Sequence, residues 1–135
     1  KQREITSEIM KSTIGFRSEG INVDTPVSSL SGGERQGVAI GRAMYFESDL
    51  IILDEPTVAL AISEVEKVLR FVDNIKIKGK SCIFIEHNIH HVHEISDRII
   101  VLDRGEVVLN CDKNSIEISD LIQFLKELHF QKENK

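Results

Sequence analysis

The apolar positions change period several times along the chain. In residues 5–16, Ile5, Ile9, Met10 and Ile14 recur at helical spacing and predict a short helix, followed by a loop over 20–30 that contains Gly20 and Pro26. Ser31 and Glu34 stand in the S-x-x-E order of a capping box, in which a hydroxyl and a carboxylate satisfy each other's backbone N–H groups. A helix is therefore predicted from 31–33 onward, with Val38, Ala39, Ala43 and Met44 as its apolar stripe. The continuous apolar run 50–53 ends in Asp54-Glu55-Pro56, as expected for a parallel strand buried on both faces.

Ser63 and Glu66 repeat the capping-box spacing, and Val65, Val68, Leu69, Val72 and Ile75 mark one helical face that stops at Gly79. A strand over 82–85 leads to Glu86-His87-Asn88, and Ile89, Val92 and Ile95 predict a short helix. A strand over 98–102 turns at Arg104-Gly105 into a second strand over 106–109, and Ile118, Leu121, Ile122, Leu125 and Leu128 give a closing helix. The alternation of strand and helix predicts an α/β fold whose sheet has largely parallel strands and right-handed crossovers. Ligands bind such sheets at the carboxyl ends of the strands, where Asp54, Glu55 and His87 fall.

Composition narrows the picture modestly. The 135 residues, 41% apolar and 29% charged, suit one soluble globular unit. A formal net charge of -5 argues against nucleic acid as a partner, since phosphate neutralisation needs clustered Lys and Arg. No apolar run approaches the roughly 20 residues that span a bilayer. The two cysteines, Cys82 and Cys111, sit among strand-like apolar residues and read as buried free thiols suited to a reducing compartment. The chain opens at Lys1, not Met, without a signal-peptide apolar segment, as a piece of a longer protein would.

Three short stretches carry chemistry. Adjacent carboxylates leaving a strand point in different directions, so Asp54 can hold Mg2+ through its water shell while Glu55 accepts a proton from an attacking water. Around Ser31, Gly32 and Gly33, the absence of side chains lets a phosphate approach the backbone, and the new helix aims its N–H groups at that anion. Ser31 adds a hydroxyl and serves equally as a helix cap. His87, on the loop after a strand, can contact a γ-phosphate or orient the water. His90, His91 and His93 read as the exposed side of a helix and not as a metal site, because no Cys or well-spaced carboxylate completes one.

Taken in order, Leu30-Ser31-Gly32-Gly33-Glu34-Arg35-Gln36, then Leu50-Ile51-Ile52-Leu53-Asp54-Glu55-Pro56-Thr57, then Glu86-His87-Asn88, closely resemble the second half of an ATP-binding-cassette (ABC) ATPase nucleotide-binding domain. The resemblance implies a partial P-loop NTPase-type sheet. It makes residues 1–40 the end of a helical subdomain carrying the signature loop, and 41–135 the C-terminal part of the ATPase core. It implies that Ser31, Gly32, Gly33 and Gln36 contact ATP, with Ser31 and Gly33 as ligands of the γ-phosphate held by the opposite subunit. Asp54 becomes the Walker B aspartate toward Mg2+, Glu55 the catalytic glutamate and His87 the switch histidine. The partners implied are a second ABC nucleotide-binding subunit or domain and a membrane permease, placing the protein on the cytoplasmic face of the cell membrane. The stretch from His87 to Gly105 looks most like ATPases of ribose-type bacterial carbohydrate importers.

Two departures qualify that likeness. Val58-Ala59-Leu60-Ala61 replaces the common Ser-Ala-Leu-Asp of the D-loop, and Ala61 cannot make the cross-subunit hydrogen bonds of an Asp. No G-x-x-x-x-G-K-[ST] occurs: Gly79-Lys80-Ser81 mimics its end, but Asn74 stands where the first Gly belongs, and the triplet lies between a helix and a strand. The expectations are negligible ATP hydrolysis by the isolated chain and apolar sheet surface left uncovered. Alternatives to a transport ATPase are a non-hydrolytic partner offering only its signature loop, and a soluble ABC ATPase unconnected with transport.

Overall fold

Each local signal meets its outcome in the backbone of a computed structural model, which describes residues 3, 4, 7, 23–46, 48–58 and 60–133. Of the helix predicted over 5–16, Ser7 is described and is helical; the other positions lie outside the described residues. The chain divides into two units, Lys1–Ile83 and Phe84–Lys135, each described by itself.

In the first unit a single 3-10 turn, Val27–Ser29, leads into α1, Gly32–Tyr45. The capping box forms as expected: the Ser31 N–H donates to Glu34 Oε2 at 2.6 Å, and the Glu34 N–H donates to Ser31 Oγ at 3.3 Å. The buried stripe of α1 runs through Gly37, Ile40 and Gly41, while Ala39 is exposed and Val38 and Ala43 are half-buried. The predicted stripe is thus rotated: it skipped the glycines, which carry no hydrophobic signal yet allow the closest approach.

β1, Leu50–Asp54, pairs with β2, Ser81–Ile85, through the crossover helix α2, Ile62–Ile77. The two strands run parallel. α2 buries Val68, Leu69, Phe71, Val72 and Ile75, and β1 buries Ile51 and Leu53. With Leu30 and Ile40 these are the buried apolar residues described in the unit. The expectation that β1 is buried on both faces is corrected: its residues alternate, with Leu50 50% and Ile52 60% exposed, and on β2 Ile83 and Ile85 are about half exposed. Parallel strands need cover on both faces, and among the described residues only one face of β1 is buried. Apolar sheet surface is therefore open, as expected.

α2 ends in a Schellman motif. The Lys80 N–H reaches the Ile75 carbonyl at 3.1 Å and the Gly79 N–H the Lys76 carbonyl at 2.9 Å, with Gly79 at φ +68°. Lys80 Nζ then donates to the Ser48 carbonyl at 3.1 Å, and the Ser81 N–H to the Asp49 carbonyl at 2.9 Å. The residues that mimic a P-loop are thus a helix stop and a strand start. Gly79→Ala is expected to cost about 1–2 kcal/mol, because a Cβ is strained in the left-handed region. Equilibrium denaturation of the intact protein checks this, and Gly79→Asn should cost less.

In the second unit, α3, Ile89–Ile95, precedes the antiparallel hairpin of β3, Arg98–Asp103, and β4, Glu106–Asp112. The two-residue turn puts Arg104 at φ +49° and Gly105 at φ +84°, the signs of a type I′ turn that matches strand twist. A register shift beside Val101 and Leu102 leaves Val108 as the extra residue on β4. A second 3-10 turn, Lys113–Ser115, leads to α4, Ile118–Glu133. Among the described residues of this unit, Ile95, Ile99 and Leu121 are the buried apolar ones. Cys82 and Cys111 are free thiols, half-buried instead of buried, and burial raises the Cys82 pKa above its ordinary value.

Candidate functional site

The site residues of the first unit follow from two helix starts and one strand end. Gly32 and Gly33 open α1, so their N–H groups belong to the unpaired first turn that attracts anions. Ser31, exposed, accepts from the Glu34 N–H and retains its own hydroxyl proton to donate. Gln36 lies half-buried one turn in. Arg35 went unassigned in the sequence reading; its Nη1 donates to the Leu30 carbonyl at 2.7 Å, a charged donor bracing the chain just before the loop. Only the motif itself hinted at it.

A Cβ on Gly32 would meet nothing within 4 Å. One on Gly33 would come within 2.6 Å of Glu64 Oε1 and 2.9 Å of the Glu64 carboxyl carbon. A Cβ at position 33 would therefore displace the Glu64 carboxylate from where it lies.

Asp54 ends β1 on the same row as Leu50 and Ile52, and both Asp54 and Glu55 are exposed. Glu55 leaves the strand at φ +46°, a left-handed backbone that glycine or asparagine adopts far more readily. Such strain clusters where function fixes a side chain. Pro56 is buried in the turn that follows, closed by the Val58 N–H donating to the Glu55 carbonyl at 3.2 Å. No feature of the residue types signalled the strained Glu55.

The donor set suits Mg2+. Asp54 offers hard oxygen donors at an exposed strand end, and among the described residues no group of three or more His, Cys, Asp or Glu forms an all-protein cage. A single carboxylate with water and phosphate oxygens is how Mg2+ is ordinarily held.

α2 begins differently from expectation. Its N-cap is Ala61, at φ -70° and ψ 156°, and the partner at the third helical position is Glu64; Ser63 lies inside the helix. Glu64 Oε2 accepts from the Ala61 N–H at 2.9 Å, but Ala61 has no oxygen to return the favour. Half of a capping box thus forms without any Ser or Thr.

In the second unit His87 is exposed on the loop after β2, and its N–H donates to Glu86 Oε1 at 2.8 Å. Asn88 caps α3, its Oδ1 accepting from the N–H groups of His90 at 3.1 Å and His91 at 3.4 Å. Asn88→Ala should therefore destabilise α3 by about 1 kcal/mol, read as faster amide exchange at His90 and His91. The three histidines of α3 are not uniformly exposed. His90 is, but His91 and His93 are half-buried. His93 Nε2 lies 3.1 Å from the Ile116 carbonyl oxygen, which only accepts, so that nitrogen carries the proton. His91 Nε2 lies 3.2 Å from Asn88 Nδ2 and acts as acceptor, which places the His91 proton on Nδ1.

The comparisons with known proteins agree with these elements. The sequence matches the ABC transporter family over residues 2–58. It is 39% identical over 113 residues to a xylose/arabinose import ATP-binding protein of Sulfolobus acidocaldarius, covering 84% of this chain and 45% of that protein. It is 38% identical over 104 residues to a fructose import ATP-binding protein of Rhizobium meliloti, covering 77% and 40% respectively. The chain thus spans less than half the length of these relatives. Among solved structures, a dimeric bacterial ABC transporter cassette matches with a TM-score of 0.70 at 29% identity, over 83% of this chain and 47% of that one. The ADP conformation of an ABC transporter's ATP-binding cassette matches with a TM-score of 0.68 at 25% identity, over 89% and 45%. No helix among the described residues is long and apolar enough to cross a membrane. The chain belongs to the ABC transporter family, and what it matches there is the ATP-binding cassette.

Proposed function

We propose that this chain supplies the signature loop, the Walker B aspartate, the catalytic glutamate and the switch histidine of a cassette that hydrolyses ATP to drive import of a sugar or similar small solute. The observation that carries the reading is Glu55, a carboxylate kept at φ +46° directly after Asp54 at the end of β1. The xylose/arabinose, fructose and ribose import ATP-binding proteins among the relatives support the solute class.

In this reading the Gly32 and Gly33 N–H groups and the Ser31 hydroxyl donate to the γ-phosphate of ATP held by a second nucleotide-binding subunit, with Gln36 completing that contact from the first turns of α1. Glu55 accepts the proton of the attacking water. His87 holds the γ-phosphate or orients that water. Asp54 would hold Mg2+, which would supply positive charge against the phosphates of ATP. Residues 1–40 end the helical subdomain that docks on a membrane permease, 41–135 belong to the ATPase core, and the assembly sits on the cytoplasmic face of the membrane.

The sequence contains no P-loop, so the 135-residue chain alone is expected to release no phosphate from ATP above background. The same chain joined to a P-loop-bearing half is expected to turn over ATP. Robust turnover by the isolated chain, lost in Glu55→Gln, would contradict the proposal. Ala61, which offers no side-chain hydrogen bond at its turn, favours a second reading, a non-hydrolytic partner that lends only its signature loop. Glu55 and His87 weigh against it, since that role needs neither.

A further inference from the structure

The contact between Glu64 and Gly33 joins two segments that the sequence keeps apart. Glu64 Oε2 accepts from the Ala61 N–H at 2.9 Å, at the start of α2 and three residues beyond the Glu55–Val58 turn. The same carboxylate lies over Gly33: its Oε1, carboxyl carbon and Oε2 would stand 2.6, 2.9 and 3.1 Å from a Cβ built there. Both residues are half-buried. A free glutamate could swing aside cheaply, but this one cannot move without giving up the Ala61 N–H. Ala61 has no side-chain oxygen, so it cannot itself cap the start of α2.

We propose that Glu64 is a positioning residue that ties the loop around Gly33 to the start of α2 that follows Glu55. The inference rests on the cassette reading above, in which Gly33 meets the phosphate of a second subunit. A shift of the 31–33 loop is then felt at the Ala61 turn, and the reverse, through one carboxylate. The coupling runs through a packed contact and a hydrogen bond, and it is reciprocal.

The test uses an intact cassette carrying this segment. Glu64→Ala is expected to leave the Kd for ATP unchanged while kcat falls on the order of tenfold, since misplacement and not binding is at fault. Glu64→Gln should retain most activity, because its amide oxygen can accept from the Ala61 N–H and fill the same space. The combination Ala61→Ser with Glu64→Ala supplies a new cap and should recover thermal stability but not kcat. It also carries the test if Glu64→Ala alone fails to fold. Recovery of kcat by Ala61→Ser would reduce Glu64 to a helix cap and overturn the inference, as would wild-type kcat in Glu64→Ala.

A second measurement does not depend on catalysis. Gly33→Ala and Glu64→Ala should be non-additive in thermal unfolding, because the added methyl group fills the space that the carboxylate vacates. Additive effects would overturn the contact itself. A cassette that shows the non-additivity yet never hydrolyses ATP would instead count against the functional reading.

Discussion

In an intact cassette, Glu55→Gln is expected to bind ATP as well as the wild type and to hydrolyse it about 10²–10⁴-fold more slowly, the usual contribution of a positioned general base. The substitution keeps the size of the side chain and the left-handed backbone, and replaces a charged carboxylate oxygen that can take a proton by an amide nitrogen that cannot. Phosphate release and nucleotide binding measured on one preparation separate the two effects. Glu55→Gly makes the complementary case. It should be just as inactive yet more stable, by about 1 kcal/mol, because a glycine relieves the strain at φ +46°. A stabilised, inactive variant would show that function and not folding keeps a carboxylate there. Equal activity in Glu55→Gln and wild type would remove Glu55 from the chemistry.

The largest effect on stability is expected at the centre of α2. Phe71 is 4% exposed and lies among Val68, Leu69, Val72 and Ile75 on the buried face. Phe71→Ala should cost about 3–5 kcal/mol, the loss of transfer free energy plus an unfilled cavity. Ile62, on the same helix but 83% exposed, should tolerate Ala within about 0.5 kcal/mol. Urea denaturation of the two variants of the intact protein gives the comparison. Similar midpoints would mean that α2 does not anchor the first unit.

These residues also show what the chain discloses by itself. Local devices were legible: Ser31 with Glu34 caps α1, and Gly79 ends α2, because each acts on its own neighbours. The start of α2 was misplaced at Ser63 because a capping box is recognised by its hydroxyl. The real cap, Ala61, has none, and only the returning carboxylate of Glu64 marks it. β4 runs on to Asp112, past the apolar residues that predicted it. Its last stretch is held by pairing and by Arg98 Nε donating to Asn110 Oδ1 at 2.6 Å, which apolar periodicity cannot detect.

Burial was the least legible property. The run Leu50 to Leu53 looks alike at every position, yet Ile51 is 7% and Ile52 60% exposed, a difference set by what covers the sheet and not by the residues. Likewise His91 and His93 were read as solvent-facing, whereas their ring nitrogens engage Asn88 and the Ile116 carbonyl. For the candidate site, the motif residues are proposals read from residue type and order, whereas the strained Glu55 backbone and the approach of Glu64 to Gly33 are three-dimensional facts.

Sedimentation of the Glu55→Gln cassette with saturating ATP tests the central claim most directly, since a signature loop acts on the nucleotide of another subunit. The account predicts an ATP-dependent dimer that Ser31→Arg abolishes while each subunit still binds ATP. A species that remains monomeric at saturating ATP, or loss of ATP binding itself in Ser31→Arg, would contradict it.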